Sequence, residues 1–108
     1  MKPIVPRERA DWDIDKAIAY YAEEAPHVVD DLIDAFESAY NAISDAPQIG
    51  SPRYATSLGI PGLRFKLVKR FPYAIFYIEH VRCVDVIRVL HQQLDIPSLL
   101  FGESDSDA

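Results

Sequence analysis

Several things are scarce in this 108-residue sequence, and each scarcity closes off a class of protein. There is one cysteine, Cys83, so no internal disulfide can form. Its place in an apolar stretch reads as a buried thiol rather than a nucleophile. The three histidines, His27, His80 and His91, lie far apart, and no His, Cys or acidic pair has metal-ligand spacing. No metal or cofactor is therefore implied. The four glycines build no phosphate-binding loop, and neither a Gly-x-Ser-x-Gly elbow nor a Cys/His catalytic signature is present. No run approaches the ~20 apolar residues of a membrane helix, and the N-terminal stretch from Met1 to Arg7 lacks a signal-peptide core. The expectation is a cytoplasmic protein. Lys and Arg number 11 against 17 Asp and Glu, and the net charge of −6 argues against indiscriminate binding to nucleic acid.

What is present is a chain of one domain's length, 49% apolar and 26% charged, with a charge that changes sign along it. Residues 1–51 hold four basic and eleven acidic side chains, residues 52–91 hold seven and two, and residues 92–108 hold none and four. The middle segment is thus a basic island in an acidic protein, able to steer an acidic or phosphate-bearing partner to one face.

That island also holds most of the strand-forming residues. Leu63, Phe65 and Leu67 alternate with Arg64 and Lys66, the period of a half-buried strand. Two further runs, Tyr73 to Ile78 and Cys83 to Leu90, follow after connections too short for a crossover helix, so the three are antiparallel neighbours. Upstream, Ile4 and Val5 between two prolines predict a short edge strand. A helix is expected to begin near Ala10 to Asp13, with Ile14, Ala17, Ile18, Tyr21 and Ala25 on one face, and to stop at Pro26. Pro26 suits the start of a second helix, whose stripe is Val29, Leu32, Ile33, Phe36, Ala39, Tyr40 and Ile43, ending at Asp45-Ala46-Pro47. Residues 48–61 read as loop, with Arg53 and Tyr54 positioned to touch the sheet. A short helical turn is expected at Ser98 to Phe101, and residues 102–108 as an acidic disordered tail beyond a single domain of residues 1–101. The fold class is α+β: an N-terminal strand, then a helical hairpin packed on a mostly antiparallel sheet of three to four strands.

Candidate functional side chains on the sheet are Arg64, Lys66, Lys69, Arg70, Arg88 and His91. With Leu63, Phe65 and Leu67 facing the helices, Arg64 and Lys66 are expected on the opposite face and Lys69 and Arg70 at the turn beyond. Arg88 lies inside an apolar run, where a charge is costly unless paired, with Asp85 or a loop carboxylate as partner. His91 with Asp95 could form an acid/base pair, but no nucleophile accompanies it, so a packing role is the simpler reading.

The strings Ala46-Pro47-x-x-Gly50, Gly62-Leu63-Arg64, Phe71-Pro72-Tyr73-Ala74-Ile75-Phe76-Tyr77 and Ile87-Arg88-Val89-Leu90-His91-Gln92, with Asp95 and Pro97, together resemble the RelE/ParE superfamily of toxins from type II toxin–antitoxin modules, most closely its ParE-like branch. The likeness spans roughly residues 8–100. It implies a growth-inhibiting toxin of the plasmid-stabilisation kind, neutralised by a cognate antitoxin that is ParD-like or another small DNA-binding protein. The ParE branch poisons DNA gyrase, whereas the ribonuclease branch cuts messenger RNA on the ribosome. The latter places an arginine near where this chain has Ala74 and further Arg and Tyr residues after the last strand, where this chain has Gln92, Gln93 and Leu94. The expectation is therefore a non-catalytic gyrase inhibitor that uses a basic surface of Arg64, Lys66, Lys69, Arg70 and Arg88. The alternatives are an endoribonuclease using Arg64, Lys66, Arg88 and His91, and an antitoxin-binding domain without toxicity.

Overall fold

The computed structural model describes residues 1–92. The elements are β1 (Ile4–Pro6), α1 (Glu8–Glu24), a 3-10 turn (Pro26–Val28), α2 (Val29–Asp45), a second 3-10 turn (Pro47–Ile49), α3 (Arg53–Leu58), β2 (Leu63–Leu67), β3 (Tyr73–Glu79) and β4 (Val84–His91). The strands form one sheet in the order β1-β4-β3-β2, antiparallel except that β1 lies parallel to β4. This is the expected α+β architecture. The expected helical turn at Ser98 to Phe101, Asp95 and the tail 102–108 lie outside the described residues.

α1 begins at Glu8, earlier than the expected start near Ala10 to Asp13. Arg7, extended at φ −71 and ψ 158, caps it with its carbonyl alone, which accepts from the Ala10 and Asp11 N–H groups at 2.9 and 3.1 Å. With no Ser, Thr or Asp at the cap, nothing in the sequence marked the start. At the other end Pro26 opens a 3-10 turn, and α2 proper starts at Val29. The α2 stripe is as the spacing predicts, with Leu32, Phe36, Ala39 and Ile43 all buried.

The two helices form a hairpin that covers one face of the sheet, where Leu32, Phe36 and Ile43 pack with Ile75, Tyr77, Val84, Val86 and Val89. The other face is not open. Leu63, Ala74, Phe76 and Leu90 form a second core with Phe65, Ile78, Ile87 and, from the segment expected as loop, Tyr54, Ala55, Leu58 and Ile60. Two expectations are corrected here. Residues 53–58 form a helix, closed by Gly59 at φ 66 with the Gly59 and Ile60 N–H groups bonded back to Thr56 and Ala55 at 3.2 and 3.0 Å. This is a Schellman closure, which requires a left-handed residue at the glycine. The faces of β2 are also the reverse of the expected ones. Arg64 and Lys66 stand opposite Tyr77 and Ile75, on the hairpin side, while Leu63 and Phe65 face α3. The physical reason is that the α3 segment supplies apolar side chains to a face that alternation alone had left to solvent. Leu67 is half exposed, and Val68, one residue on, enters the hairpin core instead.

Phe36 is 4% exposed and its ring centroid lies 5.7 Å from that of Tyr73. Phe36→Ala is expected to lower the unfolding free energy in urea by about 3–5 kcal/mol, the cost of removing an aromatic from a packed core. A loss below about 1 kcal/mol would mean that the hairpin does not seal the core at this point.

Candidate functional site

Arg88 sits in the middle of β4, 7% exposed. Its guanidinium makes a fork with Asp13 of α1, Nε to Oδ2 at 2.7 Å and Nη2 to Oδ1 at 3.0 Å. Asp13 Oδ2 also accepts the Val89 N–H at 2.9 Å. The register explains why that N–H is available: Pro6, the last residue of β1, stands opposite Val86, so the next stretch of β4 has no strand beside it on that flank. A shift of register between Phe76 and Tyr77 leaves Ile87 as an extra residue in β4 and resets the alternation, so that Val84 and Val86 face the hairpin before it and Val89 after it. The partner is therefore a helix carboxylate and not Asp85. Asp13 is not singled out by charge, because it lies among Asp11 and Asp15 near the helix start, where acidic residues are common. Its spacing from Ala10 and Ala17, i+3 and then i+4 further on, already placed it on the buried stripe.

A second knot lies at the other side of the sheet. Burial raises the pKa of the Tyr77 hydroxyl, which donates to the Pro47 carbonyl at 2.7 Å and accepts the Gly50 N–H at 2.9 Å. A Cβ at position 50 would overlap that hydroxyl, so the close approach requires glycine. Arg64 donates to the carbonyls of Gly50 and Gln48 at 2.7 and 3.2 Å, and Ser51 pairs with Phe65 through two backbone bonds of 2.8 and 3.0 Å. The strings Pro47-x-x-Gly50, Leu63-Arg64 and Tyr77 thus meet at one place.

The remaining candidates are spread out. Lys66 is partly buried on β2, and Lys69 and Arg70 are exposed in the turn between β2 and β3. Arg70 adopts φ 72 and lies 3.6 Å from Asp31 of α2. Together with Arg64 they make a cationic margin along β2 and its turn. Arg88, buried on the far flank, is not part of that margin. The His91 ring packs edge-on against Tyr73 with centroids 5.5 Å apart, and it stands beside a hollow of about 610 Å³ lined also by Asp13, Arg88, Lys16, Tyr20 and Tyr21. β3 separates β2 from β4, so Lys66 and His91 are at least two strand spacings apart, ~10 Å. Such an arrangement can hold an acidic surface along β2, but it does not bring the β2 cations to His91, whose hollow is lined instead by Lys16 and by Arg88 in its fork with Asp13. No group of three or more His, Cys, Asp or Glu able to hold a metal occurs among the described residues. Among them, too, no helix is long and apolar enough to cross a membrane.

A third cluster fastens the N-terminal strand. Arg7 forks onto Asp85 at 3.0 and 2.9 Å, with His80 Nε2 at 3.3 Å from the same carboxylate, and Lys2 reaches Glu79 at 2.6 Å. The hydrogen bond from Arg7 is the largest influence holding the Asp85 carboxyl below its usual pKa, with His80 adding to it.

Comparison with known proteins bears on the family and the fold. The family described as ParE toxin of type II toxin–antitoxin system, parDE, matches residues 4–96. Among solved structures, the chain is similar to one from the chromosomal ParDE TA system of P. aeruginosa, with a TM-score of 0.70 and 15% identity over 84% of this chain and 96% of that one. At that identity the likeness is one of fold. No curated protein matches in sequence.

Asp13→Asn removes the carboxylate onto which the buried Arg88 forks and is expected to cost about 3–5 kcal/mol in chemical denaturation, much of it recovered in the double variant Asp13→Asn/Arg88→Met. A single-variant loss under about 1 kcal/mol would show that solvent or another group replaces the carboxylate. Asp85 supplies a separate test with a definite sign. A carboxylate whose folded pKa is depressed adds stability above its unfolded value, about pH 4, and loses it as the pH falls through the folded value. Asp85→Asn is therefore expected to be less stable than the parent at about pH 5 and to converge on it toward about pH 2. A gap that stays constant over that range would exclude the Arg7 and His80 contacts as its source.

Proposed function

The chain belongs to the ParE family of toxins of type II toxin–antitoxin systems, and on that premise we propose that it is a growth-inhibiting toxin that binds and blocks DNA gyrase in the cytoplasm without cleaving a substrate. A cognate antitoxin, a small DNA-binding protein of the ParD kind, holds it in check. The observation that supports the non-catalytic reading is that the candidate basic groups are either engaged within the fold or remote from His91. Cleaving RNA through its own 2′-hydroxyl needs a cation on the scissile phosphate and a proton-transfer group within reach of the same centre. Here Arg88 is engaged by Asp13, Arg64 is bonded to two backbone carbonyls, and His91 lies across the sheet from Lys66.

Binding makes lighter demands than catalysis. Lys66, Lys69 and Arg70, with Arg64 behind them, present positive charge along one margin of an otherwise acidic molecule, which suits an acidic surface on the target and favours rapid, salt-sensitive association. Arg88 lies outside this surface and holds α1 to the sheet.

Gyrase supercoiling with and without the purified protein, run beside ribosome-dependent messenger RNA cleavage, tests the reading. The expected result is inhibited supercoiling with intact RNA, and a loss of inhibition of at least about tenfold in Lys66→Glu/Lys69→Glu, reduced in the parent by raised salt. Cut RNA with unaffected gyrase would move the protein to the ribonuclease branch. Activity in neither assay, with the antitoxin still bound, would leave a binding domain without toxicity.

A further inference from the structure

α1 carries a surface that neither the core nor the cationic margin uses. Trp12, the single tryptophan of the chain, is 48% exposed. Two cations of the same helix sit over its ring, the Arg9 guanidinium carbon at 5.3 Å and the Lys16 ammonium at 4.6 Å from the centroid. Among the described residues neither cation has an ion-pair partner, although Glu8, Asp11 and Asp15 share the helix. The positions 9, 12 and 16 follow the i, i+3, i+7 pattern of a helix seam, and Tyr20, 57% exposed, continues it one turn further on. Trp12 and Arg9 border one hollow and Lys16 and Tyr20 another, so the stripe runs between two concavities.

Each feature bears on what would cover this stripe. A half-exposed indole loses apolar surface to water, and Trp, Tyr and Arg are the side chains that most often dominate binding energy at an interface. The seam spacing suits a second helix lying along α1. Arg9 and Lys16 call for carboxylates on that helix on either side of an apolar contact.

We infer that the Arg9–Trp12–Lys16 stripe of α1 is the docking surface for the antitoxin, through an acidic amphipathic helix that sets an apolar side chain on the indole and carboxylates on the two cations. The inference rests on the toxin–antitoxin reading above and deepens it. The stripe belongs to the helix packed beside β4, whereas the cationic margin lies on β2 at the opposite edge of the sheet. Antitoxin capture and gyrase binding are therefore open to separate mutation.

The single tryptophan makes the test direct. The full-length protein is titrated with its antitoxin, prepared with any tryptophan replaced by phenylalanine, and the Trp12 emission is followed beside calorimetry. A blue shift that saturates with the calorimetric binding curve is expected. Arg9→Glu/Lys16→Glu is expected to weaken binding by at least about tenfold and Trp12→Ala by a similar factor, while Arg9→Lys/Lys16→Arg retains the affinity. An unchanged thermal midpoint in each variant shows that the fold is intact. A complex that forms with the emission unmoved, or that tolerates the charge reversals, would overturn this docking surface and leave the toxin–antitoxin reading standing. No complex at all would overturn both.

Discussion

The Asp13–Arg88 fork is the interaction on which the arrangement of helices and sheet depends. A guanidinium inside an apolar strand is tolerable only when an opposite charge meets it with good geometry, and here one carboxylate satisfies two N–H groups of the guanidinium and one of the backbone. The backbone bond matters as much as the charge. β1 ends at Pro6, and a full-length neighbouring strand would have taken the Val89 N–H itself. Asp13 replaces that strand, and in doing so it fixes which turn of α1 lies against which residue of β4. A hydrophobic pair at the same positions would pack without fixing that register. Specificity of docking is thus a sounder account of this buried pair than stability.

With α1 so placed, the rest of the hairpin follows by burial of its stripe, and the sheet is left to find cover on its other face. The cover is a six-residue helix that could not stand alone, because a helix so short is far below the length at which isolated helices form in water. It is held instead by Tyr54, whose ring lies 5.5 Å from Phe65 and 6.0 Å from Phe76, and by the knot just before it. There the Tyr77 hydroxyl, from the strand between both cores, ties down the backbone of Pro47 and Gly50, and Arg64 ties down Gln48 and Gly50 from the next strand.

This division explains what could be read in the sequence. The period-two run at Leu63–Leu67, the α2 stripe and the proline-flanked first strand are each decided by local pattern, and each is where it was expected. The facing of β2 is decided by something the strand does not contain. Alternation says that Leu63 and Phe65 share a face, but whether that face meets the hairpin or α3 depends on residues 54–60, which look like loop because Pro52, Gly59 and Pro61 surround them. One signal was available, since Leu58-Gly59-Ile60-Pro61 has the glycine, apolar residue and proline that end a helix by a left-handed turn. Arg88 could be recognised as needing a partner, but the choice between Asp85 and Asp13 could not be made from the strand alone. Asp85 is claimed by Arg7, which only the parallel pairing of β1 brings to it.

The charge asymmetry of the chain gains a structural meaning from these pairs. The acidic first half and the basic middle looked like a field prepared for a partner. Yet Asp13 meets Arg88 and Asp31 meets Arg70, while two of the four cations of the first half, Lys2 and Arg7, meet the two acids of the middle segment, Glu79 and Asp85. Each of these contacts joins the N-terminal half to the sheet. The exposed ones contribute little individually, roughly 0–1 kcal/mol, but segregated charges discourage wrong pairings within the helices and favour closure of the hairpin on the sheet. Part of the basic island is therefore consumed in folding. Lys66, Lys69 and the turn remain as one set for a partner, set apart from Arg9 and Lys16, which sit on Trp12 and have no ion-pair partner among the described residues. A molecule that must be gripped by one protein and itself grip another is well served by two modest cationic surfaces of different character, one along a strand margin and one laid over an indole.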